Sequence, residues 1–466
     1  MTDIPNGAAA PAAPAAARSY YFIAWRWHFY AGLYVAPFLL MLALTGLTML
    51  WISWSAGIGA ERLAVPPGET ILPTSALQSA AEAAVPGGVA IQYVEPLAPD
   101  RAAAFAIDSA AGTTGVALDP YTGAVLKTFA WRDGWYDFAN RIHGTLLLGD
   151  AGDRLIEIAA SLGILMIVTG LYLHWPRGRT SWRDTLIPRL SARGRGLWKS
   201  LHGVVGLWIS LILLVFLVSG LSWAGIWGSR IVQAWNTFPA EKWGAPLSDA
   251  THADMNHHGT QEVPWGLEQT PLPASGSLTG TTAITGPVDI DSITGFARSL
   301  GFDGRFQVNF PDGAAGVWTV SHDSMSNDGP NPAADRTLHL DRYTGAVLAD
   351  VRYADYSLYA KGMAWGIAFH EGDMGLWNLA LNTLFCLSVM LVSVSGLVMW
   401  WKRRPSGAAR LAAPPRDARL PLWKGAAVLV VALGLLFPMA GLAIAAVLAL
   451  DLTLLRLWPA ARAALS

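Results

Sequence analysis

Cysteine and charge are both scarce in this chain of 466 residues. A single cysteine, Cys386, excludes an intrachain disulfide, a thiolate zinc site and a haem attached through CxxCH. Charged residues make up 14% of the chain against 53% hydrophobic, a balance that an ordinary soluble domain does not have. Phosphate cradles are missing too. No GxGxxG follows a strand pattern and no Walker sequence occurs, so the chain carries no recognisable nicotinamide, flavin or nucleotide site. The formal charge of -1 gives no ground for a nucleic-acid partner. What the chain has in abundance is long apolar runs and 22 tryptophans, many of them flanking those runs.

Runs at about Trp27 to Trp51, Leu155 to Trp175, Ser200 to Ala224 and Leu376 to Trp401 each reach the roughly 20 residues needed to cross ~30 Å of hydrocarbon. The loop between the second and third carries Arg177, Arg179, Arg183, Arg189, Arg193, Arg195 and Lys199. The positive-inside rule makes that loop cytoplasmic, together with Arg26, the N-terminus and Lys402 to Arg404, and puts the two long segments outside. Residues 1–19 read as a disordered Ala/Pro tail, and the first run has no cleavage site behind it, so it is expected to stay as a span. Past a cytoplasmic linker at 405–419, Leu420 to Met439 and Gly441 to Trp458 read as a hairpin of two short spans, with one tilted helix as the alternative within 420–460.

The chain is a duplication. His28, Gly32, Leu33 and Gly46-Leu47 recur 174 positions later as His202, Gly206, Leu207 and Gly220-Leu221. LDPYTGAVL at Leu118 returns as LDRYTGAVL at Leu340, and VTGLYLHWPR at Val168 as VSGLVMWWKR at Val394. One repeat is a first span (20–54), an outer α+β unit (55–142) and a second span with its preceding histidine (143–176). After the basic loop (177–198) come the third span (199–227), a second outer unit (228–369) with an insert around 238–286, and the fourth span (370–404). Each outer unit ends in a hairpin whose Thr-Gly turn uses glycine for positive φ, with Asp119 and Asp341 as turn residues.

Sorting the histidines by depth leaves two symmetric pairs. His28 and His202 begin spans on the cytoplasmic side; His143 and His370 precede spans on the outer side. Ionisable groups repeated at a membrane face point to function. Two facing imidazoles in a helix bundle, with no third ligand and no cysteine, suit the axial positions of a b-type haem, and two pairs give two haems. Arg26, Lys199, Arg141 and Arg154 are the cations available to propionates. His174, at the end of the second span, is a reserve ligand, a propionate partner or an interfacial residue. His252, His257 and His258 in a polar loop are weaker metal candidates without a defined spacing. His322 and His339 read as structural.

The span motifs WHFYAGLY with TGL and LHGVVGLW with SGL, the segments HGTLLLGDAGDRL and FHEGDMGLW, and the two LDxYTGAVL hairpins together resemble the PepSY-associated transmembrane family, over about residues 20–405. The resemblance implies an integral membrane α-helical bundle with two PepSY-like α+β periplasmic units in a bacterial inner membrane. It also implies two b-type haems held by His28, His143, His202 and His370, and reduction of a ferric siderophore with release of Fe(II). The electron donor, cytoplasmic or a quinol, stays unidentified. A transporter for iron or its chelate, or a haem-free binding or sensory membrane protein, are the alternatives.

Overall fold

The chain's architecture is described from a computed structural model covering residues 15–177, 181–256, 261–326, 328–404, 411–414, 424–453 and 457–458. The first repeat runs α1 (Ala15–Ser55), α2 (Thr74–Ala84), β1 (Val89–Val94), β2 (Ala103–Asp108), β3 (Thr114–Leu118), β4 (Val125–Ala130), α3 (Trp135–Thr145) and α4 (Asp150–His174). A short α5 (Trp182–Leu186) sits in the basic loop. The second repeat runs α6 (Arg195–Leu221), β5 (Leu247–Thr251), β6 (Pro271–Pro273), α7 (Ile290–Ser299), β7 (Gln307–Asn309), β8 (Val317–His322), β9 (Arg336–Asp341), β10 (Val347–Arg352), α8 (Leu358–Glu371) and α9 (Leu376–Arg403). Two apolar helices follow, α10 (Lys424–Leu436) and α11 (Pro438–Leu452).

Among the described residues, four helices are long and apolar enough to cross a membrane: α1 over 36 residues from Tyr20, α4 over 25, α6 over 27 and α9 over 28. At 1.5 Å per residue even the shortest exceeds ~30 Å of hydrocarbon. The protein is a multi-pass membrane protein. Helix α1 begins at Ala15, inside the stretch expected to be tail; residues 1–14 lie outside the described ones. At the other end the described residues form helices of 13 and 15 residues within the stretch expected to hold the hairpin, and residues 415–423, 454–456 and 459–466 lie outside the described ones. Pro438 opens α11 at its first turn, where its missing N–H leaves no helical bond unmade. The two helices approach closely beside it, since a methyl on Gly441 would come 2.6 Å from the Gly434 Cα.

The backbone divides into two compact units, one of Met1–Met41, Arg154–Leu217 and Leu387–Ser466, the other of Leu42–Asp153 and Val218–Cys386. In the second unit the two expected α+β units are not separate. Their strands join in one eight-stranded sheet of order β10-β9-β8-β7-β1-β2-β3-β4. The seam is the antiparallel pair β1 and β7, with Gln92 opposite Asn309, Tyr93 opposite Val308 and Val94 opposite Gln307. Gln92 Nε2 donates to Gln307 Oε1 at 2.8 Å across it, so a buried polar pair pins the register.

Helices α2 and α7 cover one sheet face. Leu77 and Ala81 of α2, and Ile290, Ile293 and Ala297 of α7, fall at helical spacing and bury against Tyr93, Phe105, Phe306 and Leu340. The Ser75 backbone N–H donates to Asp291 at 2.9 Å, tying the helices together. Both Thr-Gly turns are built alike. Asp119 Oδ1 accepts from Tyr121 N at 2.8 Å, Asp341 Oδ1 from Tyr343 N at 2.8 Å, and Gly123 and Gly345 take φ of 73° and 63°. The insert does more than lengthen a loop: Thr281 bridges Val347 and covers the β10 edge, while β4 stays an exposed edge bearing Lys127.

Phe105 is completely buried in this core. Phe105→Ala is expected to cost about 3–5 kcal/mol, read as a lowered denaturant midpoint of the purified protein in detergent. A midpoint equal to the parent's would show that the sheet is not the stabilising core.

Candidate functional site

The four repeated histidines come together as two pairs, one in each compact unit. In the first unit the rings of His28 on α1 and His202 on α6 have centres 6.2 Å apart and planes at 89°. In the second, His143 on α3 and His370 on α8 lie 6.3 Å apart with planes at 80°. Each ring therefore faces its counterpart from the other repeat.

Each ring is held from within its own repeat. His28 Nδ1 lies 3.0 Å from Thr169 Oγ1, His143 Nδ1 2.9 Å from Thr45 Oγ1, His202 Nδ1 3.1 Å from Ser395 Oγ and His370 Nδ1 3.1 Å from Ser219 Oγ. His202 Nδ1 also lies 3.0 Å from the Val392 carbonyl. The direction of these bonds follows from the hydroxyls. Thr169 donates its one proton to Leu165 O at 2.8 Å, Thr45 to Leu42 O at 3.2 Å and Ser395 to Val392 O at 2.9 Å. Their oxygens can then only accept from the ring, so Nδ1 of His28, His143 and His202 carries the proton and Nε2 keeps its lone pair.

The local sequence explains how the His143 and His370 rings are placed. Helix α3 stops at Leu146 and Leu147, whose φ values are 53° and 60°, so the chain reverses straight into α4. A methyl on Gly152 would fall 1.7 Å from Thr145 O, so only glycine allows that approach. Helix α8 starts on a Ser357 cap, which accepts from Ala360 N at 3.1 Å, and ends at Gly372 with φ 90°. Buried Asn382 donates to Phe369 O at 2.6 Å and His370 O at 3.0 Å, fixing the turn that carries His370.

A b-type haem held by two histidines would need both imidazoles neutral with Nε2 free. A metal–imidazole bond is about 2.0 Å and the ring centre lies about 1.1 Å behind its nitrogen, so two rings sharing one metal would have centres about 6.2 Å apart. Both pairs match that spacing, and the three rings whose tautomer the hydroxyls fix carry the required one. The residues fit the group.

The other candidates have partners of their own or are exposed, and His174 packs against Gly203, the neighbour of His202. His174 Nε2 lies 2.9 Å from Thr185 O, which ties the end of α4 to α5, so this nitrogen is engaged by the loop. Arg141 pairs with Asp133 at 2.9 Å, Arg154 lies 3.7 Å from Glu157, Arg26 donates to Tyr30 Oη at 3.2 Å, and Lys199 is exposed. Sequence reasoning passes over Arg132, buried against Glu262, and Arg305, 3.5 Å from Asp328. With Trp131 they line a small cleft, in which Arg305 Nε and Trp131 Nε1 are buried without a hydrogen-bond partner among the described residues. It passes over the four hydroxyls as well, although Thr/Ser-Gly-Leu occurs at each.

His252 is not in a solvated loop. It is fully buried, with Nδ1 donating to Thr270 O at 2.7 Å and Nε2 3.0 Å from Nε2 of His339, whose Nδ1 lies 2.9 Å from Thr319 Oγ1. Because a carbonyl only accepts, the His252 Nε2 must accept from His339. His257 and His258 lie outside the described residues, and among those described no three His, Cys, Asp or Glu side chains group as a metal site.

Burial holds His252 down at about 4, and burial beside His252 holds His339 well below its ordinary value. The unfolded chain takes up protons through the ordinary value of 6.5 while the folded pair stays neutral, so this pair's stability is present above that pH and is lost as pH falls from 6.5 toward 4. Asp323 and Asp335, raised by burial to about 6 and about 8, act in the opposite sense, losing stability as pH rises. His339→Gln is therefore expected to flatten the fall of the unfolding midpoint between pH 6.5 and 4 relative to the parent; parallel curves would remove the pair from the acid response.

A comparison with curated proteins finds no match. Residues 25–403, from just before the first repeated histidine to the end of α9, match the PepSY-associated TM region, and the chain belongs to that family.

Proposed function

We propose that this protein is a di-haem b reductase of the bacterial inner membrane, passing electrons from the cytoplasmic side to a periplasmic ferric siderophore and releasing iron as Fe(II). One observation carries the reading. Two imidazole pairs, unrelated in local sequence except through the duplication, share a spacing of 6.2 and 6.3 Å and the same hydrogen bond on Nδ1.

When bound, a b-type haem supplies a one-electron Fe(III)/Fe(II) couple. The protein's part is to prepare the ligands and the surroundings. Thr169 and Ser395 hold His28 and His202 by Nδ1, which would leave Nε2 to the haem iron; Thr45 and Ser219 hold His143 and His370 in the same way. The apolar spans keep water from the rings, and the neutral imidazoles add no charge to the hydrocarbon. At the acceptor end the chemistry is simple. Hard oxygen ligands grip Fe(III) and hold Fe(II) poorly, so a single electron unloads the chelate. The N-terminus and the basic loop face the cytoplasm in this reading, where the donor, a cytoplasmic reductant or quinol, is met.

Purified protein should show a reduced-minus-oxidised b-type spectrum with two haems per chain. His370→Ala should lower this to one and cut Fe(II) release from a ferric siderophore, followed with a ferrous chelator, by roughly 10–100-fold. A colourless parent, or reduction that survives the loss of haem in His370→Ala, would defeat the reading.

A further inference from the structure

We propose that the hydroxyl of each Thr/Ser-Gly pair of the spans is a positioning device for the imidazole it faces, setting the ring's proton and redox character, and that Gly170 makes room for the edge of His28. This rests on the proposed haem binding and deepens it, by naming what regulates the ligands of that site.

Four residues of the same kind sit in the same local sequence: Thr45-Gly46, Thr169-Gly170, Ser219-Gly220 and Ser395-Gly396, each followed by leucine. Four histidines meet those four hydroxyls through Nδ1. Hydroxyls in apolar helices commonly satisfy themselves by donating to a carbonyl one turn back, and Thr45, Thr169 and Ser395 do so. That habit leaves the oxygen as a pure acceptor. A ring donating Nδ1–H to such an oxygen gains electron density at Nε2, becomes a stronger ligand and favours Fe(III) over Fe(II).

The glycine completes the device at Gly170, whereas at Gly396 and Gly46 a methyl would make only ordinary contact. A methyl built at Gly170 would lie 3.0 Å from Cε1 of His28, at Gly396 3.4 Å from Cε1 of His202, and at Gly46 3.5 Å from Cε1 of His143. At Gly220 it would meet nothing within 4 Å, so that glycine has no part in holding a ring. The Cε1 edge lies between the two nitrogens, so pressure there would turn the ring and displace Nε2.

The test compares Thr169→Val, which keeps the shape and removes the acceptor, with Thr169→Ser, which keeps the acceptor. Redox titration of the purified full chain should show two haems in both. In Thr169→Val one midpoint should rise, with the Fe(II):Fe(III) ratio at a fixed poise up by roughly tenfold, and the other should not move; Thr169→Ser should match the parent. Ser395→Ala acts on the same haem and should also raise that midpoint, which keeps the test open if Thr169→Val does not fold. Gly170→Ala should lose one haem with its unfolding midpoint retained, while Gly220→Ala keeps both. Parent potentials in Thr169→Val and Ser395→Ala, or a full haem load in Gly170→Ala, would overturn the inference. A parent without haem would defeat instead the reading beneath it.

Discussion

A neutral imidazole inside an apolar bundle has two nitrogens that are chemically alike until something tells them apart. Here that something is a hydroxyl whose own proton is already committed to the helix backbone. Thr45, Thr169 and Ser395 each donate one turn back and so present only lone pairs to His143, His28 and His202. The choice of tautomer thus follows from helix geometry rather than from a charged partner. No carboxylate is needed to orient the rings, and the cost of placing one in hydrocarbon is avoided.

A related division of labour organises the repeats. Holding is done within a repeat and facing is done between repeats, so neither half completes a pair alone. In the eight-stranded sheet the pattern recurs with backbone in place of rings, since β1 and β7 meet across the seam while the strands on either side belong to one repeat each. The halves are not identical in detail. Gly152 packs the first repeat's turn on Thr145 O, whereas the second uses the amide of Asn382 on Phe369 O and His370 O. Two local solutions deliver the same ring position.

Much of this can be read from residues. The apolar runs give the four spans because hydrocarbon thickness demands a minimum length, and the Asp-x-Tyr-Thr-Gly hairpins follow from side-chain chemistry within five residues. The histidines announce themselves by recurrence. The continuous sheet does not, because strand pairing between Tyr93 and Val308 joins distant parts of the chain and leaves no mark on local periodicity. His252 escapes for a related reason: its neighbours are polar, but Thr270 and His339 bring the segment back into the core. The four hydroxyls are legible as a motif and illegible as partners, since serine and threonine in spans usually bond only to their own helix.

The β1–β7 seam has the form of a contact between two equal bodies: residue 92 meets 309 and residue 94 meets 307, the equivalent places exchanged. A single repeat standing free would expose that strand as a raw edge and would own one ring of each facing pair. Only a second copy, related by a twofold axis, could close both at once. Covalent fusion of two such copies removes the concentration dependence of that encounter, and it frees each half to diverge, as the 281-bridged edge of one half and the bare Lys127 edge of the other already have.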